Sequence, residues 1–166
     1  MKRRRTVAVA VAAVMLPLGA SAIALADPSA QGAERGRPAE TIRLVEKVHD
    51  VTFDDGGTAG PSLGDRLVFT ADIFDEHNHL VGRDGADCVV VRNEPDAPPT
   101  EQQVVQCMVS LELPDGQLTF QGLAQGLDNT FAITGGTGAY RTAQGEAFVH
   151  DRAFLQEAEI TITLFR

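Results

Sequence analysis

The sequence predicts an all-β domain, an eight-stranded antiparallel up-and-down barrel preceded by a signal peptide and a short linker. Three observations predict it. From Thr41 onward apolar residues recur with a period of two rather than 3.6. Clusters of turn-forming residues separate the alternating runs. Eight such runs follow one another, most of them joined by links short enough for antiparallel neighbours. Eight consecutive strands can close on the first and leave no unpaired edge. A two-sheet sandwich has the same local signature, so periodicity alone does not select the barrel.

Taken in order, the expected strands run over about 41–52, 65–75, 86–93, 103–113, 117–124, 129–134, 143–151 and 156–165. In the second, Leu67, Phe69, Ala71 and Ile73 alternate with Val68, Thr70, Asp72 and Phe74. In the last, Ile160, Ile162 and Leu164 alternate with Glu159, Thr161 and Thr163. The turn clusters are Asp54-Asp55-Gly56-Gly57, Glu76-His77-Asn78-His79, Pro114-Asp115-Gly116 and Gly135-Gly136-Thr137-Gly138. In the last of these the glycines are read as positions where φ is positive or two backbones approach closely. A phosphate-cradling loop would need a following helix and a Lys-Ser or Lys-Thr pair, which the sequence lacks here.

Ahead of the domain, Met1-Lys2-Arg3-Arg4-Arg5, an apolar run from Val7 to Leu18 and Ala24-Leu25-Ala26 have the order of a basic n-region, an h-region and an A-x-A cleavage site. The apolar run is short for the roughly 20 residues of a spanning helix. The expectation is therefore a cleaved signal peptide over 1–26 and a secreted, extracellular protein. Residues 27–40, rich in Pro, Gly, Ala and charge, read as a flexible linker, and 41–166 as the barrel domain. Cleavage would move the formal charge from −9 to −13, because Lys2 and Arg3 to Arg5 leave with the leader. So acidic a chain is repelled by phosphate backbones and anionic bilayers, which argues against nucleic acid and against the membrane as partners. Two cysteines in an oxidising compartment suggest a disulfide. Cys88 and Cys107 flank the Pro-rich turn at Asn93 to Pro99 and would lie nearly opposite each other if the two strands pair about it.

His77-Asn78-His79 invites a metal reading, since alternate residues on a strand share a face. The pair instead sits in a turn cluster with no glutamate or third histidine at useful spacing, and a solvated hairpin tip is expected. His49 and His150, isolated in strands, could meet across a barrel but are read as ordinary half-buried residues. Asp54-Asp55 lacks the alternate-position ligands and closing glutamate of a calcium loop, and no Gly-x-Ser-x-Gly elbow is present. No metal and no organic cofactor is expected.

Three stretches carry a family resemblance: Gly64-Asp65-Arg66-Leu67-Val68-Phe69-Thr70, Asp87-Cys88-Val89-Val90-Val91, and Leu118-Thr119-Phe120-Gln121-Gly122 continuing through Asp128 to Gly138. They resemble the plant allene oxide cyclases, and Gly135 to Gly145 is similar also to the dirigent proteins. The resemblance, which spans most of Ile42 to Phe165, implies an eight-stranded barrel with a ligand cavity and a homo-oligomer, commonly a trimer. It also implies which side chains face the lumen: Phe69, Ala71, Cys88, Val90, Phe120 and Ala124. Cys88 matches the cyclases' cavity cysteine. Other positions depart: Ala71 stands where an Asn is expected, Ala124 where a Tyr is expected, and Glu46-Lys47-Val48 is at best a remnant of a Glu-x-Asn pair. The fatty-acid epoxide reaction is accordingly not expected here. Arg141 matches a dirigent arginine, whereas Gln144 replaces another.

Small apolar residues in a barrel of this size leave a cavity suited to a small hydrophobic metabolite. The expected function is to bind such a molecule and guide its cyclisation or stereoselective coupling, with Glu46 and Arg92 as the candidate catalytic groups. The alternatives are a lipocalin-like binding protein without catalysis, and an extracellular structural barrel whose core is filled.

Overall fold

The computed structural model describes residues 40–57 and 60–165. The expected signal peptide and all of the expected linker but Glu40 lie outside the described residues. Eight strands form one closed antiparallel barrel in sequence order: β1 (Glu40–Asp54), β2 (Arg66–Phe74), β3 (Leu80–Asn93), β4 (Gln103–Leu113), β5 (Gly116–Ala124), β6 (Asp128–Gly136), β7 (Gln144–Ala153) and β8 (Glu157–Phe165). The ring closes through β1 and β8, where Leu44 faces Ile160 and Glu46 faces Ala158. No edge is left open, which is how a small all-β domain avoids pairing with other chains.

Alternation sets the inner face. In β8, Ala158, Ile160, Ile162 and Leu164 are buried, while Glu159, Thr161 and Thr163 between them are not. Across the wall these residues stack in rows: Leu44, Ile160 and Val149 in one, Ile42, Ile162 and Ala147 in the next. Leu111, Leu113, Leu118, Ile133 and Leu164 close this end of the lumen as a packed apolar core.

One departure from the sequence expectation has a physical cause. β3 starts at Leu80, not 86, and takes in Gly82 and Gly85, a residue type that weakens a strand in isolation. Gly82 is instead where two backbones meet, since a Cβ there would lie 2.1 Å from the Glu112 carbonyl oxygen. The Gly136-Thr137-Gly138 corner does behave as expected: Gly138 has φ +58°, and a Cβ on Gly136 would meet the Gln117 carbonyl at 2.4 Å. His77 and His79 occupy the β2–β3 tip, where Asp75 Oδ1 accepts hydrogen bonds from both of their backbone amides at 2.8 Å. Cys88 and Cys107 are directly opposed on β3 and β4, with Cα atoms 4.1 Å apart, and form a disulfide.

Candidate functional site: an acid-floored cavity in the open half of the barrel

The other half of the lumen is hollow. A cavity of about 470 Å³ opens among the β1–β2, β3–β4, β5–β6 and β7–β8 connections, a volume in the range of small-molecule sites. Its origin lies in residue size. Where the packed half places Leu111 opposite Leu118, the hollow half places the disulfide beside Gly122, and Val90 beside Val105 and Ala124. Phe69, Phe120 and Phe131 line the wall, the last two with ring centroids 5.7 Å apart. Phe53, Leu127 and Phe154 line the cavity and are also exposed, so the mouth is apolar.

Into this apolar space the fold brings three carboxyl groups. Glu46 on β1 is paired with Ala158 on β8, which is paired with Asp151 on β7. Two residues along β1, Val48 is paired with Ala71, and Ala71 with Asp84 on β3. Ala158, which lines the cavity, therefore stands between Glu46 and Asp151 and fills little of the space beside them. Glu46 is 6% exposed and Asp84 7%. Burial, then the charges of Asp84 and Asp151, push the Glu46 carboxyl up to about 8. Burial pushes Asp84 up to about 7 against a downward pull from the Ala71 backbone and His49. Burial likewise raises Asp151, opposed by His150 and reinforced by Asp128. Asp84 Oδ1 has no hydrogen-bond partner. Among the described residues, those lining the cavity include no Lys, Arg or His. With no counter-charge in the lining, a proton is what keeps the Glu46 carboxyl neutral near pH 7.

Phe69, Cys88, Val90, Phe120, Ala124 and Glu46 all line the cavity. Ala71 and Arg92 do not. Ala71 is fully buried, but against its neighbours below the open space, and it borders a hollow on the outer wall instead. Arg92 is displaced by a β-bulge: the register slips between Val90 and Arg92, so the alternation Asp84, Ala86, Cys88, Val90 does not continue to it. The bulge turns Arg92 out to pair with Glu94 at 2.8 Å. His49 and His150 do not meet across the lumen. His49 is the extra residue of a bulge in β1, against Asp50, and His150 pairs with Asp128 at 2.6 Å. Arg141 is exposed at the packed end, beyond the Gly138–Tyr140 turn. Asp84 and Asp151 were not singled out from sequence. Counting back by twos from Cys88 reaches Asp84, which lies ahead of the strand expected from 86 and within the observed β3.

A sequence profile, the allene oxide cyclase barrel-like domain, matches residues 45–162. The chain belongs to this family. Among solved structures, a pyocyanin demethylase is similar at 28% identity and TM-score 0.63, covering 75% of this chain and 99% of its own. An exo-specific intermolecular Diels-Alderase, AbnU, shares 17% identity at TM-score 0.62, with 77% of this chain and 98% of that chain covered. A pterocarpan synthase dirigent protein shares 15% at TM-score 0.55, with 79% and 86% covered. The last two likenesses concern the fold alone. No curated protein matches the chain.

Proposed function

We propose that this family member binds a small molecule with an apolar body in the hollow half of its barrel and guides its cyclisation or stereoselective coupling. The observation that carries this reading is the Glu46 carboxyl, buried and without a basic residue beside it in the lining, in a largely apolar cavity that it shares with Asp84 and Asp151. A carboxyl group that changes protonation near neutrality can give or take a proton at a bound guest. The apolar walls confine the guest's conformation, which by itself lowers the barrier to ring closure. The demethylase, Diels-Alderase and pterocarpan synthase among the structural neighbours support small-molecule chemistry in such a barrel. The third alternative, a barrel with a filled core, does not describe the hollow half.

Export is part of the proposal: a disulfide facing the cavity suits an oxidising compartment. So is association into a homo-oligomer, by the family resemblance. The test is native mass spectrometry of the chain purified from culture medium without reductant. The expected result is the mass of residues 27–166 less two hydrogens, plus a retained small molecule, which is then offered to the protein for turnover. Glu46→Gln should keep the molecule and lose the turnover. A retained guest never converted would leave the lipocalin-like binder; an empty barrel that takes up no apolar compound would end both.

A further inference from the structure

The cavity also indicates the charge of its guest, an inference that rests on the small-molecule reading above. We propose that the guest is an amphiphilic organic cation: a compact apolar skeleton bearing a protonated or quaternary nitrogen, with the nitrogen seated at Glu46 between Asp84 and Asp151.

Two independent features of the lining lead there. The first is charge. Four acids, Glu46, Asp84, Asp151 and Glu157, border the space, and among the described residues that border it no base does. Of the four, Glu157 is paired on the outer side with Arg152, at 3.0 Å, which Glu159 shares. The groups facing the remaining three are known. Asp84 and Asp151 act on Glu46. His49 acts on Asp84 from the outer wall, where it is held beside Asp50 and Asp72, and Arg83 is drawn to Asp72 at 3.6 Å. His150 and Asp128 act on Asp151 while paired to each other. No cation is thus left over for the Glu46 carboxyl, which forms no hydrogen bond or ion pair among the described residues. A buried, uncompensated carboxylate is expensive, so in the empty site Glu46 holds its proton up to a pH of about 8. A guest cation supplies the missing charge. Below that pH the Glu46 proton leaves to solvent as the cation enters, so the carboxyl gives up one positive charge as the guest brings one; above it the carboxylate is ready to receive the cation.

The second feature is aromatic. Five of the chain's eight phenylalanines border this cavity: Phe53, Phe69, Phe120, Phe131 and Phe154. Ring faces attract alkylated ammonium groups, most strongly where water is excluded. An apolar space for a neutral guest could be built equally from Leu and Ile, as the packed half is. A guest carboxylate, by contrast, would meet three acids and no counter-charge, and is excluded.

Three probes of one skeleton test this: (2-naphthylmethyl)trimethylammonium, 2-naphthylmethanol and 2-naphthoate. The chain has no tryptophan, so naphthalene fluorescence reports binding directly. In salt sufficient to screen the acidic surface, the ammonium should bind about ten-fold or more tighter than the alcohol at a pH of about 8.5, and the naphthoate should not bind. Lowering the pH to about 6 should weaken the ammonium about ten-fold while leaving the alcohol unchanged, with proton release seen by calorimetry in buffers of different ionisation heat. Glu46→Gln should bring the ammonium down to the alcohol's affinity, and Asp84→Asn should lower it in the same direction; thermal melts establish that both variants fold. If the alcohol binds as well as the ammonium, the cationic guest is wrong while the cavity reading stands. A preference for the ammonium that survives both substitutions would place the charge effect on the outer surface and overturn the proposal. If no probe binds, the cavity reading falls and takes this one with it.

Discussion

The two halves of the barrel are made by the same eight strands and the same alternation, yet one is solid and the other hollow. In the solid half the inward positions are Leu44, Leu111, Leu118, Ile160 and Ile162, all nearly or fully buried. In the hollow half they are the Cys88–Cys107 bridge, Gly122, Ala124, Ala158 and three acids, with phenylalanines around them. The difference teaches that one continuous sheet can divide its labour by residue volume alone. Leucine and isoleucine hold the fold at one end, while glycine, alanine and a disulfide leave room at the other without opening the wall.

If that division is right, the largest loss should come from the solid half. Leu118→Ala should cost about 3–5 kcal/mol in denaturant unfolding, since the residue is fully enclosed and the void cannot collapse. A loss under about 1 kcal/mol would mean that this half is not close-packed.

Next in size is an expected gain. Glu46 is raised from 4.5 to about 8 by folding. The fold therefore binds a proton that the unfolded chain releases between those values. Its contribution is fully present below about pH 4.5 and is lost as the pH rises through 8. Stability should fall across that window, and Glu46→Gln should flatten the fall and add on the order of 3–4 kcal/mol at pH 8.5. Urea titrations of both proteins at pH 5 and 8.5 check the sign. A variant less stable than the parent at the higher pH would show that the carboxylate has a counter-charge after all.

Reduction of the disulfide, which closes a segment of 19 residues in sequence, should lower stability by about 3 kcal/mol, read as a shift in the urea midpoint with and without reductant. No shift would mean that β3–β4 pairing alone sets the hollow half. Smallest in stability but decisive for the cavity is Ala124→Phe. A side chain added to open space should change stability by less than about 1 kcal/mol, yet displace an apolar guest. Loss of several kcal/mol would show that the space is needed by the fold itself.

Much of the wall was legible before the structure, and less of the site. β2, β4 and β8 follow from unbroken alternation, and the disulfide from two cysteines about a Pro-rich turn. Phe69, Cys88, Val90, Phe120 and Ala124 line the cavity as the family resemblance implies, and so does the candidate Glu46. Arg92 failed because one extra residue in a bulge reverses facing, and nothing in Val90-Val91-Arg92 marks it. Asp84 lies ahead of the strand expected from 86, on a stretch where glycines at 82 and 85 weaken strand character in isolation, whereas one of them is demanded by a neighbouring strand.

The sequence by itself determined the all-β class, the number and order of strands and the pairing of the cysteines, because period two, turn chemistry and short links act locally. Only the tertiary structure decided that Glu46, Asp84 and Asp151 share one cavity. Those residues come from β1, β3 and β7, and closure of the ring through β1 and β8 is what sets them around a common space. Their raised proton affinities follow from that closure, since desolvation and mutual repulsion exist only once the wall surrounds them.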